Sequence, residues 1–215
     1  MDYINYDQIE ELFQTLNNSN VEYVLLRNIN NELPLKLSKS KDIDIIVNPN
    51  DKYKLCEVLD KSRWLNIMHP WDFGNNFKFL YSMDKFLMFK KNDIHLDVCF
   101  QLSCRSFNDG EWFPLDESIQ NSVFNNKRKV KFDWKYELLF EDELIHLLTR
   151  AIFDKKRFDQ GYILRIQDLL KKIELNEFLK KLEKVFFKFS PNLIGLVQEM
   201  KYDQIRNNYL NFKEY

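Results

Sequence analysis

Ser40-Lys41-Asp42-Ile43-Asp44-Ile45-Ile46-Val47 is the stretch on which the fold of this chain turns. Its isoleucines and valine predict a strand, and Asn48-Pro49-Asn50 stops it. Side chains alternate along a strand, so Ile43, Ile45 and Val47 share one face, the core face. Asp42, Asp44 and Ile46 share the other. Aspartate is disfavoured in strands, and a rise of about 3.3 Å per residue sets the two carboxylate-bearing Cα atoms about 6.6 Å apart. Two like charges at that spacing repel by about 2.5 kcal/mol at an effective dielectric near 20. A divalent cation is the direct offset, because hard cations take carboxylate oxygens. The plainer alternative is an edge strand whose aspartates face solvent and pair with bases such as Lys41.

A later strand supplies a match. In Ile94-His95-Leu96-Asp97-Val98-Cys99-Phe100 the apolar residues alternate with His95, Asp97 and Cys99, so Asp97 also projects from a polar face. If this strand lies beside the first, three carboxylates converge and can bridge two metal ions, which sit about 3.5–4 Å apart in two-metal sites. A surface aspartate on a meander is the alternative for Asp97. His95, on the same face, either orders a ligand or is a cross-strand surface residue.

Outward from these strands, Ile9, Leu12, Phe13 and Leu16 predict a first helix with Asp7 as its N-cap. Val21–Arg27 reads as a strand, Asn28–Ser40 as a loop and Asp51–Lys61 as a helix. Residues 76–102 read as a meander of three strands, Phe77–Tyr81, Lys85–Phe89 and Ile94–Leu102, turning at Ser82-Met83-Asp84 and Lys91-Asn92-Asp93. A loop with Asn108-Asp109-Gly110, a short helix at Asp116–Phe124 and a strand at Lys129–Phe132 follow. From residue 136 the apolar spacing becomes three to four, which predicts helices near 140–153, 159–173, 175–188 and 191–209. The plan is α/β (α+β): a mixed sheet with flanking helices over residues 1–135, then a helical C-terminal domain over 136–215.

Composition narrows the function. With 45% hydrophobic and 30% charged residues in 215, the chain can build a core. Its four glycines, Gly74, Gly110, Gly161 and Gly195, are too far apart for G-x-G-x-x-G or a Walker A loop, which excludes the Rossmann fingerprint and the P-loop NTPases. The 32 basic and 33 acidic residues leave a net charge of −1, without the excess that coats duplex nucleic acid. Lys127-Arg128-Lys129 with Lys131 reads as a solvated turn or strand edge. Cys56, Cys99 and Cys104 form no disulfide framework and no zinc pattern, and read as reduced thiols. There is no signal-peptide pattern and no apolar run that spans a bilayer, so a soluble, cytoplasmic setting is expected. His146 reads as a satisfied core residue, and His69, beside Pro70 and Trp71, as packing or stacking. Arg150, Lys155, Lys156, Arg157 and Arg165 read as helix-surface charge, with lining of an interdomain cleft as the alternative; Tyr162 reads as a core residue or a base-stacking one.

A strand, a loop, a D-h-D strand (h apolar) and a later h-D-h strand resemble the DNA polymerase beta-like nucleotidyltransferase superfamily. Val24-Leu25-Leu26-Arg27-Asn28 before Lys41-Asp42-Ile43-Asp44-Ile45-Ile46-Val47 is similar to its small bacterial and archaeal members. Glu143–Arg150 and Ile163–Leu170 are similar to the helical part of uncharacterised nucleotidyltransferases of surface-polysaccharide gene clusters. The resemblance implies transfer of a nucleoside monophosphate from an NTP to a hydroxyl or phosphate, with release of pyrophosphate. It implies Asp42, Asp44 and Asp97 as ligands of Mg²⁺ or Mn²⁺, and Asp97 as base for the attacking hydroxyl. One departure stands out: the superfamily's h-G-[GS] is replaced by Leu26-Arg27-Asn28. Glycine permits close approach of backbone to phosphate, so its loss weighs against triphosphate binding unless Arg27 grips phosphate, with Asn28, Ser40 and Lys41 as further nucleotide contacts; the alternatives are a strand-end salt bridge for Arg27 and plain solvation for Ser40 and Lys41. A small-molecule acceptor is favoured over a long nucleic acid, and a protein acceptor is the other option. The missing glycine also supports an alternative, a non-catalytic nucleotide- or partner-binding protein that keeps the fold. A nuclease-like metal hydrolase is weaker, because no catalytic lysine can be named.

Overall fold

The computed structural model describes residues 3–69, 78–81, 84–106 and 110–210. The chain opens with α1 (Tyr6–Asn18), which buries Ile9, Leu12, Phe13 and Leu16. Its cap is Asn5, not Asp7: the Asn5 side chain accepts the Asp7 N–H at 3.2 Å. The strand expected at Val21–Arg27 is β1 (Tyr23–Leu25), and the deciding strand is β2 (Asp42–Val47). Then come a 3₁₀ turn at Pro49–Asp51, α2 (Lys52–Lys61) and β3 (Leu65–Ile67).

The expected meander is rearranged. β4 (Lys78–Phe79) leaves the main sheet and pairs parallel with β8 (Glu111–Pro114), which pairs antiparallel with β7 (Ser103–Arg105). Only β5 (Leu87–Lys91) and β6 (Ile94–Cys99) make the expected hairpin, with Asn92 in the left-handed conformation at its turn. The turn expected at Ser82-Met83 and the loop at Asn108-Asp109 lie outside the described residues. α3 (Glu117–Asn125), β9 (Arg128–Lys129) and β10 (Tyr136–Glu137) follow. The seven-stranded sheet runs β3-β5-β6-β2-β1-β10-β9, so the basic run at 127–129 meets the sheet edge at β9, as expected.

After β10 the chain is helical: α4 (Phe140–Thr149), a π-helical turn at Arg150–Asp154, α5 (Gln160–Leu170), α6 (Leu175–Phe186), α7 (Ser190–Gln198) and α8 (Tyr202–Leu210). The single helix expected over 191–209 is two, because Met200 adopts φ 58° between them.

Both sheet faces are covered. Ile43, Ile45, Val47, Leu96 and Val98 pack with α1 and α2 residues in one core. Val24, Leu26 and Ile46, on the opposite face, join the α3–α8 residues in another. Residues on both sides of position 136 thus share that second core. Cys56, Cys99 and Cys104 are free thiols, and burial pushes Cys99 up to about 12.

Candidate active site

β2 and β6 run parallel, with Asp44 opposite Asp97 and Asp42 opposite His95. The period of two that sends Ile43, Ile45, Leu96 and Val98 into the first core sends these four to the other face. There Ile46 is covered by helices but the aspartates are not. They line a cleft of ≈ 550 Å³, walled by the loop after β1, by Ser40 and Lys41, and by Arg150, Lys155, Asp159 and Tyr162 of the helical part. Asp42 sits at the mouth with 45% of its side chain exposed, and Asp44 and Asp97 lie on the floor with 17% and 22%.

Each carboxylate has a neighbour. Arg27 donates to Asp44 Oδ1 through Nη2. His69 Nε2 lies 3.3 Å from Asp97 Oδ1, and His95 Nδ1 lies 4.0 Å from Asp42 Oδ1. Burial in the cleft wall and the nearby Asp97 charge raise the Asp42 pKa above its usual value. Among the described residues, no three His, Cys, Asp or Glu side chains converge as a metal cage. The convergence expected of Asp42, Asp44 and Asp97 is therefore incomplete in this conformation: the strand pairing brings them to one cleft, while Arg27 holds Asp44. The donor set still fits a hard divalent cation, being all carboxylate, with Asp42 carrying negative charge that its surroundings disfavour.

Arg27 also explains the missing glycine. It adopts φ 49°, the left-handed conformation that glycine takes without strain. The tight exit from β1 is thus kept with an arginine in it. Burial and the Arg150 cation push its pKa down. Asn28 organises the loop beyond, its Oδ1 accepting the Leu33 N–H at 3.1 Å. The loop packs against the start of α5, where a Cβ at Gly161 would meet Asn30 Oδ1 at 3.0 Å. Ser40 Oγ lies 3.0 Å from Ser38 Oγ, and Lys41 is paired with Glu32.

Arg150 is the residue that sequence reasoning undervalued. It begins the π-helical turn, closed by the Lys155 N–H bonding to the Arg150 carbonyl at 2.8 Å. Its Nη1 lies 3.1 Å from Asp154 Oδ2. Burial disfavours its charge, but Asp154, Tyr162 and Asp97 outweigh that and raise its pKa. Arg150 keeps the period of α4, its N–H bonding to the His146 carbonyl, so spacing gives its face but not that this face meets the cleft of the β domain. Of the other bases read as surface charge, Lys155 reaches the cleft, stacked over the Tyr162 ring at 5.1 Å, whereas Arg165 turns away onto Glu143 with two bonds of 2.7 Å.

No protein-family model matches the chain, and no curated protein sequence matches it. Solved structures do. One is the solution structure of the antibiotic-resistance factor ANT(2'')-Ia, with TM-score 0.54 and 12% identity, covering 90% of this chain and 97% of that one. A crystal structure of ANT(2'')-Ia in complex with adenylyl-2''-tobramycin gives 0.51 and 10%, covering 85% and 96%. The chain has the nucleotidyltransferase fold. At this identity the likeness is one of fold, and the chemistry rests on the cleft. No helix among the described residues is long and apolar enough to cross a membrane.

Proposed function

We propose that this protein is a metal-dependent nucleotidyltransferase that moves a nucleoside monophosphate from an NTP to a small-molecule acceptor. The observation that carries the reading is the parallel pairing that sets Asp44 beside Asp97 on the floor of a cleft shared with Arg27 and Arg150. Asp42, Asp44 and Asp97 would hold Mg²⁺ or Mn²⁺, which supplies charge neutralisation on the triphosphate. With a cation on Asp44, the Arg27 guanidinium would be free to grip phosphate in place of the family's glycine-lined backbone. Asn28, Ser40 and Lys41 line the same wall as further nucleotide contacts. Asp97 accepts the acceptor's hydroxyl proton. That oxygen forms a bond to the α-phosphorus, the α–β bridging P–O bond breaks, and pyrophosphate leaves.

The cleft volume suits small ligands. The fold neighbour that holds adenylyl-2''-tobramycin supports an adenylyl donor and a small-molecule acceptor. The walls are largely self-neutralised, Glu32 by Lys41 and Asp159 by Lys155, which favours an acceptor of low charge. A second reading, the non-catalytic binder, is favoured by one observation: Arg27 already serves Asp44 as counter-ion.

Calorimetry with each NTP, with and without Mg²⁺ or Mn²⁺, on wild type and Asp44→Asn, tests both. Metal-dependent binding lost in the variant supports the enzyme. Absence of binding to any NTP in wild type overturns it and leaves the binder.

A further inference from the structure

Beside the cleft floor lies a second, smaller space of ≈ 30 Å³, lined by Asp44, Asp97, Arg27, Arg150, Gln101 and His146 among others. Three of these side chains present buried polar atoms without a hydrogen-bond partner among the described residues: Arg150 at Nε, Gln101 at Oε1, and His146 at both ring nitrogens. An unmet buried polar group costs about 1–3 kcal/mol, so three around one small space point to a ligand.

The size and chemistry of the space choose that ligand. A water needs about 10–15 Å³, so the space takes two or three waters. Arg150 Nε–H only donates, and Gln101 Oε1 only accepts. Burial, with the Arg27 and Arg150 cations, holds His146 neutral, so its ring has one donor and one acceptor nitrogen. A bound anion could not donate to Gln101, whereas water accepts from the arginine and donates to the amide.

We propose that this space is a hydration site, and that His146, acting through an ordered water in it, is a positioning residue for the Arg150 guanidinium. Arg150 lines both the smaller space and the cleft. Asp154 holds it at Nη1, Tyr162 adds a side-chain hydrogen bond, and the water holds it at Nε, so the planar fork is fixed before any ligand arrives. That the fork then meets phosphate rests on the nucleotidyl-transfer reading. The hydration site does not.

A high-resolution crystal structure of the whole chain should show one water within hydrogen-bonding distance of Arg150 Nε and His146. The absence of that water, or a direct protein bond to either group, overturns the site. In solution, the Arg150 Nε–H resonance should exchange slowly with solvent in wild type and in His146→Gln, and rapidly in His146→Leu. With Tm unchanged, His146→Leu should bind Mg·ATP about tenfold more weakly, while His146→Gln stays near wild type. Equal affinity in His146→Leu overturns the positioning role. If His146→Leu does not fold, Gln101→Met removes a second partner of the same water and should give the same two losses. If wild type binds no nucleotide, the proposed function falls, and the water and the Nε–H resonance still decide the inference.

Discussion

The two faces of β2 and β6 differ in everything but their backbone. On one side Ile43, Ile45, Leu96 and Val98 are sealed against α1 and α2. On the other, one residue along in each case, stand Asp42, Asp44, His95 and Asp97, and the three aspartates line an open cleft. The dry face fixes the strands, and the strands fix the carboxylates, so a polar cluster that repels itself is held in register by its apolar neighbours. Adjacent substitutions should therefore break different things. Asp44→Asn should lower nucleotidyl transfer by about two to three orders of magnitude, as loss of a transition-state contact does, with little change in Tm. Ile45→Ala should cost about 2–5 kcal/mol of stability and leave nucleotide affinity per folded molecule nearly intact. Transfer assays paired with denaturant titrations measure both, and equal effects of the two changes would erase the contrast between the faces.

The same contrast explains what the sequence could reveal. Alternation in 42–47 and 94–99 is local, so the strands, their faces and the approach of Asp97 to Asp42 and Asp44 were legible. So were most helices, whose apolar spacing is equally local. Sheet membership was not. The turn at 91–93 announces a hairpin, but nothing near Lys78-Phe79 announces pairing with Glu111–Pro114, more than thirty residues on. The site was legible in its carboxylates and less so in its cations. Arg27 stands where glycine is expected, and its left-handed φ is a property of the backbone, not of composition. Arg150 keeps the period of α4, and that its face meets the cleft depends on packing between distant parts of the chain. His69 meets Asp97 from a loop that carries no pattern.

Arg27 sharpens the comparison, since it belongs to the polar face yet has only 12% of its side chain exposed. Arg27→Gly keeps the left-handed turn, relieves its strain and frees Asp44. Binding of Mg²⁺ alone should then strengthen several-fold, while Mg·NTP affinity falls by about tenfold with the lost guanidinium. Isothermal titration with metal alone and with metal plus NTP separates the two. If both strengthen together, Arg27 is only a plug on the site and not part of it.

The smallest effect concerns the charge of the polar face itself. Asp42 has a raised pKa in the folded chain, through partial burial and the Asp97 charge. Below the usual carboxylate value it is protonated in both states and contributes no difference. As pH climbs from there through the raised value, the unfolded chain releases its proton first, and the folded state loses stability. Above the raised value that loss is complete and constant. Asp42→Asn should therefore be slightly more stable than wild type at neutral pH, by less than about 1 kcal/mol because the carboxylate is half exposed and screened. The advantage should vanish at strongly acidic pH. Added Mg²⁺ should reverse it, since an ion that binds the folded carboxylates stabilises wild type by mass action and the variant less. Urea titrations across pH, with and without Mg²⁺, read each part. A variant no more stable than wild type at neutral pH would mean that the aspartates bear no net repulsion, and would remove the electrostatic ground for a cation between β2 and β6.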